Sequence, residues 1–141
     1  MRAAIALLVV FAAGCVEAAA EGDRVRVIVN AKNPTTRVSK QFVADAFLKK
    51  RTRWGGDAAI QPVDLVQKHS VRARFSRSML DRDVAAVRRY WAQLVFSGRG
   101  VPPPEVPDED AVIEYVAKNS GAIGYVSASA TLSGVKAVVV D

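Results

Sequence analysis

From Val84 to Val95 the apolar residues Val84, Val87, Tyr90, Trp91, Leu94 and Val95 recur at intervals of 3, 3, 1, 3 and 1. That spacing draws an apolar stripe along one side of an α-helix, and such a stripe is stable only when another layer covers it. Asp83 stands at the N-cap position, Ser97-Gly98-Arg99-Gly100 ends the run, and Pro102-Pro103-Pro104 forbids its continuation. The covering layer is read in β-branched segments at both ends of the chain. Val25-Arg26-Val27-Ile28-Val29 predicts a buried strand over 24–30; Ala122 to Val126 and Val135 to Val140 predict two more around a Ser/Ala/Gly loop.

Other elements fill the interval. Ser39 is the N-cap of a helix expected over 40–50, with Phe42, Val43, Ala46 and Phe47 facing inward and Lys49, Lys50 and Arg51 at its negative end. Trp54-Gly55-Gly56-Asp57 breaks the chain, and Ala59 to Asp64 reads as a short strand. A helix starts near Ser70, where Val71, Phe75 and Met79 are spaced by four, with Ser70 itself a candidate cap. Asp108 caps a last helix to Lys118, helped by Glu109 and Asp110 near its positive end, and Gly121 reads as a left-handed stop. The predicted order is β-α-β-α-α-α-β-β, an α/β fold with a small mixed sheet flanked by helices.

Length and composition narrow the function classes. The chain has 141 residues, half of them hydrophobic and 24% charged, enough for one compact domain. One Cys and one His exclude a disulfide framework and a Cys/His zinc site, and no metal or cofactor is expected. Met1-Arg2, the apolar run Ala3 to Ala13 and Ala18-Ala19-Ala20 have the layout of a secretory signal, too short to span a bilayer core of about 30 Å. The expectation is a signal peptide over 1–20 and a single domain over 21–141, exported to the periplasm or secreted by the Sec route. Ala12-Ala13-Gly14-Cys15 resembles a lipobox, so the alternative is a lipoprotein anchored at Cys15.

Charge is uneven. From Lys32 to Arg99 there are 15 basic and 5 acidic residues, a net of +10, whereas Gly100 to Asp141 carries 2 and 6, a net of −4. Arg74, Arg77, Arg88 and Arg89 fit solvated helix faces better than a nucleic-acid surface, because nucleic acid is scarce outside the cell; no nucleic acid partner is expected. Catalysis finds no nucleophile elbow and no convergent carboxylates; Asp108-Glu109-Asp110 is explained by capping. The segment Lys68-His69-Ser70-Val71-Arg72 opens a helix, where free N–H groups and the helix dipole favour an anion. Ser70 offers a hydroxyl and Arg72 a planar fork for carboxylate or phosphate oxygens. A plain cap at Ser70 with a solvated Arg72 explains the same residues.

The chain also carries a resemblance. Val29-Asn30 with Asn33-Pro34, Ser39-Lys40-Gln41-Phe42 to Ala46-Phe47-Leu48, Arg72-Ala73-Arg74-Phe75, Tyr90-Trp91, Phe96-Ser97-Gly98-Arg99-Gly100 and Ser120-Gly121-Ala122-Ile123-Gly124-Tyr125-Val126 follow one another in the order and spacing of a known family. Together they resemble the second lobe of phosphate-type periplasmic binding proteins of ABC importers. The resemblance implies one lobe of a type 2 periplasmic-binding-protein fold and a non-catalytic role in phosphate or oxyanion binding. The implied ligand residues are Ser70, Val71, Arg72 and His69 at the helix start, with Asn30 and Ser39 as contributors. In the family a Ser-Gly-Thr-Arg run stands where His69-Ser70-Val71-Arg72 stands here, so Val71 replaces a hydroxyl donor. Binding by a lone lobe is expected to be weak. Implied partners are a homodimer mate or another protein that completes the cleft, and an ABC permease; the alternative is a lobe that serves protein interaction or sensing without a small ligand.

Overall fold

A computed structural model describes residues 24–141; the expected signal peptide and Cys15 lie outside them. The elements are β1 (Val25–Asn30), β2 (Arg37–Val38), α1 (Lys40–Phe47), β3 (Gln61–Pro62), β4 (Asp64–Leu65), α2 (Ser70–Leu80), α3 (Val84–Phe96), β5 (Glu105–Val106), α4 (Glu109–Lys118), β6 (Ala122–Ser127), β7 (Val135–Ala137) and β8 (Val139–Val140). The main sheet has the strand order β3-β6-β1-β7. β1 pairs antiparallel with β6, Val25 opposite Ser127 through Val29 opposite Ile123, and antiparallel with β7; β3 runs parallel to β6. The sheet is therefore mixed and helix-flanked, as its apolar runs predict. Two short parallel pairs, β2 with β8 and β4 with β5, tie the connecting segments to it.

All six residues of β6 are buried, which requires cover on both faces. Adjacent side chains on a strand point to opposite faces, and Gly124 and Tyr125 show what lies on each. A Cβ on Gly124 would stand 2.7 Å from Val112 Cγ1 and 3.1 Å from Val116 Cγ2, so α4 presses directly on the sheet there. On the other face Tyr125 stacks on Phe75 of α2 at 3.8 Å between ring centroids, and Phe47 of α1 meets Phe75 edge-on at 4.6 Å. This aromatic trio, all of it buried, joins α1 and α2 to the sheet. α3 packs outside them, against α2, through Val87 and Trp91.

Three predicted caps act as read. Ser39 Oγ accepts from Phe42 N at 3.0 Å, Asp83 Oδ1 from Ala86 N at 2.7 Å, and Asp108 Oδ1 from Ala111 N at 2.8 Å. Other expectations change. α1 stops at Phe47 because Lys49 turns to a φ of 54° and Lys50 and Arg51 donate back to Asp45 O. The strand expected over 59–64 divides at Val63: β3 joins the main sheet and β4 leaves to pair with β5. The strand expected over 135–140 divides at Val138, whose N–H stays with Val27 O while β8 moves to β2. Gly121 is not left-handed; its missing Cβ is required because one would lie 2.3 Å from Ala59 O. Val95, placed on the inward stripe by its spacing, is 50% exposed.

Candidate functional site

β4 leads into the start of α2 through a tight turn in which His69 N donates to Val66 O at 3.0 Å. The cap is His69, not Ser70. His69 has extended backbone, and its Nδ1 accepts from Val71 N at 3.2 Å. Its carbonyl takes Arg72 N at 3.1 Å and Ala73 N at 3.4 Å. The amides of Val71, Arg72 and Ala73, which could otherwise attract an anion, are thus held within the turn. Ser70 is exposed at the first helical position and Val71 is buried.

Arg72 turns inward. Its Nη1 donates to Leu65 O at 2.7 Å and to Glu105 Oε2, and its Nη2 lies 3.4 Å from Asp64 Oδ2. The Arg72 side chain is 6% exposed and that of Glu105 39%, so the pair is reached from solvent only on the Glu105 side. Behind it, Tyr125 Oη donates to Asp64 Oδ1 and accepts from Leu65 N at 3.2 Å. Burial raises the Asp64 carboxyl above its usual range despite the pull of Arg72 and the Tyr125 hydrogen bond, and the nearby Glu105 charge adds to the rise. Burial and the facing Asp64 hold the Tyr125 phenol far above its ordinary value, so it stays a donor. Arg72 Nε is buried with no hydrogen-bond partner among the described residues.

A groove of about 260 Å³ runs to this network between α3 and the Pro102-Pro103 segment, with Arg88, Trp91 and Val95 on its walls and Arg72 and Glu105 at its floor. A larger groove of about 680 Å³ lies elsewhere, beside Trp54, Asn33 and Ser120, and Lys32 is the charged residue on its wall.

The structure brings His69, Ser70, Val71 and Arg72 together at one helix start and leaves the other two expected contributors apart. Asn30 donates from Nδ2 to Val116 O at 2.9 Å and Ala117 O at 3.0 Å, closing the end of α4 on the opposite face of the sheet. Ser39 caps α1, and Lys40 beside it pairs with Asp81 at 2.8 Å, just past the end of α2 remote from Ser70. That separates Ser39 from Ser70 by about the length of α2, on the order of 15 Å. Sequence reasoning missed Asp64, Glu105 and Tyr125. The available signal was an acid and a phenol inside apolar strand segments, where a charge is stable only with a partner.

No family model and no curated protein matches the chain. Solved structures do. An ABC-type phosphate transport receptor from Vibrio cholerae superposes with a TM-score of 0.64 at 20% identity, over 82% of this chain and 45% of the receptor. This chain has the fold of phosphate-transport receptors. A phosphate ABC transporter substrate-binding protein from Clostridium perfringens, solved with bound phosphate, gives 0.66 at 23% identity over 83% of this chain and 44% of that one. PstS from Borrelia burgdorferi gives 0.61 at 12%, covering 83% and 47%. The chain spans less than half the length of each of these receptors, so it has the fold of a part of them.

Proposed function

We propose that this chain is a non-catalytic, exported, receptor-like lobe of the phosphate-importer type, whose oxyanion site is closed by its own carboxylates when the lobe stands alone. The likeness to phosphate-transport receptors supports the ligand class, and the observation that carries the reading is Arg72. Its guanidinium borders a groove and is paired with Glu105 and Asp64, the carboxylates that an incoming oxyanion would have to displace. An incoming phosphate competes with a covalently tethered carboxylate and is surrounded by protein on one side only. Affinity of the lone chain is therefore millimolar or weaker, about −4 kcal/mol or less. A partner wall, supplied by a second copy, another protein or an ABC permease, excludes water from the site and strengthens each hydrogen bond.

Isothermal titration of the purified chain with phosphate, and with sulfate as a second oxyanion, tests this. Weak saturable heat with both anions is expected; micromolar affinity in a confirmed monomer contradicts it. A second reading, an interaction or sensory lobe without a small ligand, is favoured by one observation: Val71 N, one of the first-turn amides of α2, already bonds His69 Nδ1. That reading predicts no phosphate-dependent rise in Tm at tens of millimolar beyond the general effect of salt.

A further inference from the structure

The larger groove, beside Trp54, has no part in the phosphate reading. Its volume of about 680 Å³ falls in the range of small-molecule sites. The segment that carries Trp54 is tied to itself: Trp54 N donates to Ala58 O and Ile60 N to Thr52 O, both at 2.9 Å. The indole is fixed as well. Its Nε1 donates to Gly121 O at 3.0 Å, and Phe42 packs on it at 5.4 Å between ring centroids. The half-buried ring therefore lines the groove as a held aromatic surface. Gly121, also on the groove wall, stands four residues before Tyr125, which bonds Asp64 in the Arg72 network. That is about 13 Å along the strand, so the two places are separate.

The polar groups on this wall are neutral and unengaged. Asn33 is 8% exposed, and its Oδ1 accepts from Thr35 N at 2.9 Å, which fixes the amide. Its Nδ2 has no hydrogen-bond partner among the described residues and is not sealed from solvent. The side chains of Thr35, Gln61 and Ser120 likewise make no hydrogen bond among the described residues, and Lys32 brings the one charge. An inorganic oxyanion finds a single ammonium here and no guanidinium, and a metal cation finds no carboxylate. A wholly apolar ligand would strip water from these polar groups and replace none of it. A sugar meets each requirement. Asn33 Nδ2 donates, while the two hydroxyls and the Gln61 amide both donate and accept, the same mixture that ring hydroxyls present. The C–H face of a pyranose supplies the apolar surface that covers an indole. We propose that the Trp54 groove is a saccharide-binding site, with the sugar ring on Trp54 and its hydroxyls on Asn33, Thr35, Gln61 and Ser120.

Isothermal titration of the purified chain with maltose, cellobiose and chitobiose tests this, with tryptophan emission read in parallel. At least one of these disaccharides is expected to bind saturably with a Kd below about 10 mM. Binding should also shift the emission, since Trp91 is buried and Trp54 is half-exposed on the groove. Trp54→Ala abolishes binding. Gln61→Ala keeps the wild-type Tm, because that side chain is exposed and makes no hydrogen bond, and weakens binding about three- to tenfold. No saturable binding of any of these disaccharides at tens of millimolar overturns the proposal, and so does an affinity that Gln61→Ala leaves unchanged. The titrations contain no phosphate, so a negative phosphate titration leaves the saccharide site standing.

Discussion

At the residue scale the chemistry gathers around Arg72. A guanidinium moved out of water is costly unless carboxylates and carbonyls replace the solvent, and Asp64, Glu105 and Leu65 O supply that replacement. Removing it leaves Asp64 buried with its counter-charge gone. Arg72→Ala is expected to destabilise the chain by about 3–5 kcal/mol, measured by urea denaturation. Lysine does not replace it, since one ammonium cannot span Leu65 O, Glu105 and Asp64 as a planar fork does. Asp64 also sets a pH dependence whose sign is opposite to that of an ordinary paired carboxylate. Its folded-state pKa lies above the usual 3.8, so the folded chain holds this proton more tightly than the unfolded chain. Stability from this group is present below 3.8 and falls as pH rises from there through the raised folded value. Denaturation of wild type and Asp64→Asn across that window should show the fall in the wild type and its absence in the variant. None of this was legible around residue 72: Glu105 lies 33 positions away, and local sequence offered only a fork and a cap.

At the element scale, what was legible is what is local. Asp83, Asp108 and Ser39 cap their helices because each side chain reaches an amide three residues on, a relation contained in the sequence itself. His69 escaped notice because the neighbouring Ser70 is the commoner cap and an imidazole nitrogen serves less often. The two divided strands escaped because a two-residue strand is defined by a distant partner, β5 for one and β2 for the other. The glycines of the 120–126 stretch have steric reasons that only the packed elements reveal. Gly121→Ala places a Cβ against a backbone carbonyl, Ala59 O, that cannot turn aside, whereas Gly124→Ala presses on valine methyls that can. Both substitutions are expected to destabilise, Gly124→Ala by about 1–3 kcal/mol and Gly121→Ala by more, as a drop in Tm. Equal Tm values for wild type and Gly121→Ala would show that the β3 edge is looser than its packing requires.

At the scale of the whole molecule, strand β6 organises the layers. Its unbroken burial forces helices onto both faces, and those helices place the start of α2 beside β4 and the buried Asp64–Tyr125 pair. The fold class was readable from periodicity, and the likeness to phosphate receptors from the order of short motifs. Whether an anion reaches Arg72, as proposed, depends on side chains from β4, β5 and α2 meeting in space. The direct test is a phosphate titration of wild type beside Glu105→Ala, which removes the exposed half of Arg72's pairing and leaves Asp64 to hold the guanidinium. Affinity no tighter than about 1 mM is expected for wild type, with a gain of about tenfold for the variant, worth about 1.4 kcal/mol. Tight binding by the wild type, or no gain when Glu105 is removed, would contradict this reading.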